Sequence, residues 1–261
     1  MRWMWSLGDY SEVAALLAPK AAELAALAGI GPGQRVLDVG AGSGNLAAVA
    51  AGLGAAVTAC DPTRRMVELG SRRTAAEGLD VRWLEADAEA LPFAAGSFDV
   101  VASVFAAMFA PSPGTVAAEL FRVARPGGLV AMANYGHGGF LAAMADLIGS
   151  FGPARPAGLT SPFDWGDPAE AGRRLARLAA PGSLRMEPGT LVMEFDSHEA
   201  GWAFWERTNP PLLALRQMLP AEGYEALAAK AAALLRSLGQ GGDGRLTLAS
   251  DVLLLTARVP S

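Results

Sequence analysis

Residues 36 to 44 read Val-Leu-Asp-Val-Gly-Ala-Gly-Ser-Gly, and they narrow the choice of fold more than any other stretch of the chain. A short apolar run reaches an acid, Asp38, and glycines follow at 40, 42 and 44. A buried parallel strand that runs into a glycine-rich turn and then a helix brings bare backbone up to a ligand. Residues without a Cβ allow both that approach and the φ/ψ values of the turn. In an open α/β sheet such a turn lies at the carboxyl end of the first strand, where ligands bind.

Strand and helix patterns alternate around this stretch. An alanine- and leucine-rich helix over 9–29 is closed by Gly29 and Pro32. Strands are expected at 35–39, 55–60, 80–85, 98–103 and 129–134, with helices at 44–52, 62–78 and 114–124 between them. Pro62 suits the first turn of its helix. This alternation predicts a doubly wound, mostly parallel sheet. The second half departs from it. Residues 136–150 read as a helix, 152–168 as a long Pro/Gly-rich loop, and 190–195 as a strand. Ser197 can cap a helix carrying Trp202, Phe204 and Trp205. Pro210 and Pro211 break that segment, a helix follows over 220–238, then a turn at 239–244 and a final strand or pair of strands over 246–259.

The dinucleotide fingerprint G-x-G-x-x-G sets a pyrophosphate on a helix N-terminus. Here the third glycine comes one residue early, giving Asp-x-Gly-x-Gly-x-Gly. This resembles motif I of the class I S-adenosylmethionine (SAM)-dependent methyltransferases, whose turn packs on the amino-acid part of SAM. Four further stretches match that family in order. Ala55 to Asp61 reads as a second strand ending in an acid, 23 residues after Asp38. An acid there is placed to accept from ribose hydroxyls. Val81 to Ala88 reads as a strand followed by Asp87-Ala88, Ser97 to Val104 matches strand four, and Arg125-Pro126-Gly127-Gly128 matches the turn before strand five. Ala88 to Phe93 and Val104 to Pro111 look most like the small-molecule enzymes related to ubiquinone and menaquinone biosynthesis.

The resemblance implies a class I fold: a Rossmann-like, seven-stranded, doubly wound sheet with one antiparallel strand near its end and a helical cap. The expected division is an N-terminal helical lid (1–33), a SAM-binding core (34–135), a cap and substrate region (136–238) and C-terminal strands (239–261). Gly40, Gly42 and Gly44 form the turn around SAM, supported by Asp38. Asp61 holds the ribose beside Pro62, and Asp87 and Ala88 read the adenine. Met66 packs on the adenine face or in the core, and Ser103 offers its carbonyl near the sulfonium. Tyr10 closes over the methionine moiety, with Trp3 and Trp5 in the same lid or packing the terminus.

The chemistry implied is an SN2 transfer that leaves S-adenosylhomocysteine (SAH), with the protein positioning the acceptor and excluding water. A base is needed only for an acceptor that must lose a proton. His137, in Asn134-Tyr135-Gly136-His137, is the candidate, and His198 at a helix start reads as structural. Phe105, Met108, Tyr135 and Trp165 are the substrate-binding candidates.

Composition restricts the partners. A net charge of −5 without a dense basic run argues against nucleic acid. Cys60 is the lone cysteine, which excludes an intrachain disulfide and a cysteine-based metal cluster; no metal is expected. Glu12, Lys20 and Glu23 interrupt any leader-like run. The longest apolar stretch, 100–111, is too short to span a bilayer. A cytoplasmic protein with a small, fairly apolar acceptor is expected, and a homodimer is left open. A SAM-binding protein without catalysis, a nicotinamide-dependent oxidoreductase and a protein or RNA methyltransferase are the alternatives.

Overall fold

Strands buried on both faces read as continuous apolar runs, and the fully buried stretches 36–39 and 100–103 hold the middle of the sheet. The computed structural model describes residues 4, 7, 10–153, 156, 158–240 and 244–261. Its strands are β1 (Arg35–Val39), β2 (Ala56–Asp61), β3 (Val81–Glu85), β4 (Phe98–Val104), β5 (Ala124–Gly139), β6 (Arg185–Phe195) and β7 (Leu246–Arg258). They form one sheet in the order β3-β2-β1-β4-β5-β7-β6. Strands β1 to β5 pair in parallel, and β7 runs antiparallel to both β5 and β6. The chain winds outward from β1 to β3 and then returns to place β4 on the other side of β1. That reversal opens a crevice at the carboxyl ends of β1 and β4, the position at which open α/β sheets bind ligands.

Helices α1 (Tyr10–Leu27), α2 (Asn45–Gly52), α3 (Arg64–Ala76) and α4 (Pro113–Val123) accompany this half, and α1 packs on α2. In the second half α5 (Phe140–Phe151) packs on β5 and on α9 (Ala221–Leu238). Helices α6 (Pro168–Leu175), α7 (His198–Thr208) and α8 (Pro210–Met218) complete the chain. No helix among the described residues is long and apolar enough to cross a membrane.

Several second-half expectations need correction. Strand β5 does not end at Asn134; it continues to Gly139, and the expected helix begins only at Phe140. Glycines 136, 138 and 139 fall in the expected helix, but they lie where another chain segment comes close. A Cβ on Gly138 would stand 2.0 Å from the Asp251 carboxylate, and one on Gly139 would stand 2.3 Å from the Ala249 carbonyl. The expected 152–168 loop contains a 3-10 turn over Pro162–Gly166 and leads directly into α6. Asp167 caps that helix, its Oδ1 accepting from the Glu170 N–H at 2.8 Å. Asn209 ends α7 but also begins α8, its Oδ1 accepting from the Leu212 N–H. Strand β6 starts at Arg185, and β7 is one strand.

Candidate cofactor site

The turn after β1 is tied to β2 by backbone alone. The N–H groups of Gly40 and Ala41 both donate to the Cys60 carbonyl, at 2.8 and 2.9 Å. Gly40 sits at φ +70°, and a Cβ there would lie 2.4 Å from the Cβ of Ala106. Glycine is therefore required twice over, by conformation and by space. Gly44 precedes α2 and abuts the Trp83 ring, whose Nε1 donates to Thr74 Oγ1 at 3.1 Å.

Two acids meet at this turn. Asp61, at the end of β2, accepts from Thr63 N–H and Oγ1 on one oxygen and from the Gly42 N–H at 3.1 Å on the other. Burial raises its pKa, and those bonds oppose the rise. Asp38 is 1% exposed, and its Oδ2 accepts from the Ala47 N–H at 3.0 Å. Burial, and secondarily the charge of Asp61, push the Asp38 carboxyl up to about 7. Between them the Cys60 thiol is pushed up to about 12, chiefly by burial, which makes it inert at neutral pH.

A cavity of about 320 Å³ opens over this turn. Of the residues predicted from sequence, Asp38, Gly40, Gly42, Asp61, Pro62, Met66, Asp87, Ala88 and Phe105 line it. Met66 is 4% exposed. Asp87 Oδ1 accepts from the Glu89 N–H at 3.0 Å. Gly44, Ser103, Met108, Tyr135, His137 and Trp165 are not in the lining. Ser103 sits just beneath it, its Oγ donating to the Val39 carbonyl at 2.8 Å and accepting from the Ala107 N–H at 3.0 Å. Trp3, Trp5 and the side chain of Tyr10 lie outside the described residues. No described residue of 136–238, the expected cap, lines the cavity. Ala14, Leu17, Asn45, Glu89 and Phe109 do line it and were not singled out from sequence. The signal for Asn45 was its position immediately after the third glycine.

Behind the cavity runs a series of aromatic rings. Phe105, at φ 51°, is the one non-glycine residue with positive φ among those described. Its ring stacks on Tyr135 with centroids 4.1 Å apart and 5° between planes. Tyr135 neighbours Phe163, and Phe163 neighbours His137, each pair at 6.3 Å. The Tyr135 N–H donates to the sulfur of buried Met108. His137 Nε2 lies 3.0 Å from Asp164 Oδ1, and Asp164 also faces Arg174, whose guanidinium covers the fully buried Trp165 ring at 4.8 Å.

Residues 37–132 match the family described as a methyltransferase domain. An uncharacterized protein of Mycobacterium tuberculosis, Rv1405c, is 44% identical over 216 residues, covering 81% of this chain and 77% of that protein. The chain belongs to the class I SAM-dependent methyltransferases. A demethylmenaquinone methyltransferase of Renibacterium salmoninarum is 41% identical over 106 residues, covering 41% of this chain and 43% of that protein. A second uncharacterized M. tuberculosis protein, Rv1403c, is 46% identical over 63% of this chain, and the match spans 61% of its own length. YcgJ of Bacillus subtilis shares the fold, with a TM-score of 0.63 at 17% identity over 93% of this chain and 99% of that one.

SAM is the cofactor of this methyltransferase family, and the cavity suits it chemically. Asp61 Oδ2 accepts one hydrogen bond and keeps acceptor capacity for a ligand hydroxyl. The ionisable side chains lining the cavity among the described residues are four carboxylates, those of Asp38, Asp61, Asp87 and Glu89. An acid set of that kind favours a ligand carrying positive charge. A cation beside Asp38 also pulls its raised pKa back down, so binding and ionisation reinforce each other.

Proposed function

We propose that this methyltransferase acts on a small, fairly apolar acceptor held in the same cavity as SAM. The observation that carries this reading is the mixed lining. Acids and the glycine turn share that lining with an apolar run, Phe105, Ala106, Phe109, Ala110 and Pro111. SAM, when bound, supplies an activated methyl group on sulfur. The chain's own residues bind and orient. Gly40, Gly42 and Gly44 shape the turn for the amino-acid end, with Asp38 behind it. Asp61 and Pro62 hold the ribose, Asp87 and Ala88 take the adenine edge, and Met66 covers its face. Ser103 offers its carbonyl near the reacting centre, and Tyr10 belongs to the lid.

Phe105, backed by Tyr135 and Met108, presents the acceptor in line and keeps water out, which is the main demand of the step. The strap that bears Trp165 supports this wall from behind: a Cβ on Gly166 would lie 2.2 Å from the Tyr135 carbonyl. His137 stands behind that wall, separated from Phe105 by Tyr135 and Phe163. It is therefore assigned no proton transfer from an acceptor inside the cavity. The acidic balance and single cysteine support a cytoplasmic enzyme that works without nucleic acid.

Calorimetric titration with SAM and then SAH tests the reading, followed by a mass-spectrometric screen for a gain of one methyl group on small apolar metabolites. Micromolar binding of both ligands and a methylated product are expected. Absence of binding by either ligand overturns the assignment.

A further inference from the structure

One wall of the cavity comes from outside the cofactor motifs. Ala14 and Leu17 of α1 form it. The helix has two unequal halves. After Pro19, Ala21, Leu24 and Ala25 are 0 to 1% exposed and root the helix in the core. Before it, Val13, Ala14 and Leu17 are less deeply set, at 6 to 7%. Pro19 lies inside the helix and has no N–H, so the Ala15 carbonyl lacks its partner in the helical ladder. The first half can thus move without uprooting the second.

Side chains tie that first half down. Asn45, the first residue of α2, donates through Nδ2 to the Ala14 carbonyl at 2.6 Å. Arg73 of α3 donates to Asn45 Oδ1 at 2.8 Å and to the Ser43 carbonyl at 3.4 Å. A guanidinium is a donor only, so it fixes which end of the Asn45 amide faces it and leaves Nδ2 for Ala14. Glu77 in turn holds Arg73 at 3.0 Å. A second tie joins the far end of the helix half to α7, where Arg207 Nε meets Glu12 Oε1 at 3.1 Å. Asn45 and Ser43 also line the cavity.

We propose that Asn45, oriented by Arg73, is a positioning residue that couples the cofactor turn to the first half of α1, so that this half-helix retains bound SAM and SAH. The proposal rests on the SAM reading above. It makes α1 a wall whose hold is set by one side-chain amide, and it places control of product escape in that amide. Asn45→Asp is the sharp variant. It keeps the size and keeps the pairing with Arg73, but it replaces the donor facing the Ala14 carbonyl with an acceptor.

Stopped-flow displacement of SAH and hydrogen exchange of the ligand-free protein test it together. In Asn45→Asp the SAH dissociation rate is expected to rise about tenfold, the effect of roughly one lost hydrogen bond. In the ligand-free variant, amides of residues 13 to 18 are expected to exchange faster while those of 21 to 27 keep their protection. Arg73→Ala is expected to give a smaller change of the same kind, and the double variant no more than Asn45→Asp alone. An unchanged dissociation rate with unchanged exchange overturns the proposal. So does faster exchange on both sides of Pro19, the mark of general loosening. If the wild-type protein binds no SAH, the cofactor reading fails; the exchange contrast across Pro19 still reports on the tie itself.

Discussion

Two stretches of the molecule differ in how fully they pair their buried polar groups. Through the end of β4, buried Asp38, Asp61, Thr63, Thr74 and Ser103 all make side-chain hydrogen bonds. From Asn134 onward, Thr208 and Ser250 are bonded too, but the Asn134 amide, the indole N–H groups of Trp165 and Trp205 and one Arg174 nitrogen are buried with no partner among the described residues. Fixed dipoles are needed where a polar ligand must be held. A tryptophan ring or an arginine stem can instead fill space as an apolar body. The first stretch therefore pairs the buried polar side chains it has, while the second also uses some polar side chains as filling.

Substitutions can break or sharpen that contrast. The largest effect is expected from Gly40→Ala, which adds a methyl against Ala106 at positive φ. Loss of measurable SAM binding and about 2–4 kcal/mol of stability are expected, by calorimetry and thermal unfolding. Asp61→Ala should leave the fold intact but weaken SAM by about 100-fold or more, the loss of charged hydrogen bonds to hydroxyls. Retained micromolar affinity would remove Asp61 from the ribose site.

Asp38 provides a pH signature in the ligand-free protein. Its folded pKa is raised to about 7, so its proton is held more tightly in the folded than in the unfolded chain. The stability that Asp38 contributes is full below about pH 4, where both states are protonated, and is lost as pH rises through 7, by on the order of a few kcal/mol. Asp38→Asn should flatten that part of the stability profile; an unchanged slope would assign it to other groups.

Smaller effects compare the two stretches directly. Ser103→Ala leaves the Ala107 N–H and the Val39 carbonyl without their partner, and about 1–3 kcal/mol is expected in urea unfolding. Trp165→Phe removes an N–H that bonds nothing and is expected to lose under about 1 kcal/mol. Equal losses would erase the contrast. The smallest effect is expected from His137→Asn, with kcat within a few-fold of wild type. A fall of about 100-fold is the mark of a general base and would bring His137 into the chemistry.

The same contrast explains what could be read from the sequence. Strands β1 to β4 were expected to within a residue or two, because central parallel strands are apolar runs and their turns carry glycine or acid at the tip. The number of strands and the one antiparallel strand followed from the family resemblance. In the second half local signals conflict with tertiary ones. Gly136 to Gly139 were placed in a helix over 136–150 but lie in β5 against β7. The Asp167-Pro168 start of α6 was legible as a cap and first-turn proline, yet it lay inside a segment rich in helix breakers. At the site, the acids and glycines were legible because they stand at motif positions, and Asp38, Gly40, Gly42, Asp61 and Asp87 line the cavity. Ala14, Leu17 and Asn45 were not, since their place in the lining depends on how α1 crosses the turn.

Strand β7 lies between β5 and β6 in the sheet, although it follows both in the chain. During synthesis, β5 therefore waits with an unpaired edge, and β6 has no neighbour, until residues 246–258 emerge from the ribosome. An exposed parallel edge of that kind is a template for association with other chains. A nascent chain arrested before residue 246 would carry a complete set of cofactor motifs on an unclosed sheet. The cofactor motifs thus precede in the chain the strand that closes the sheet beside them.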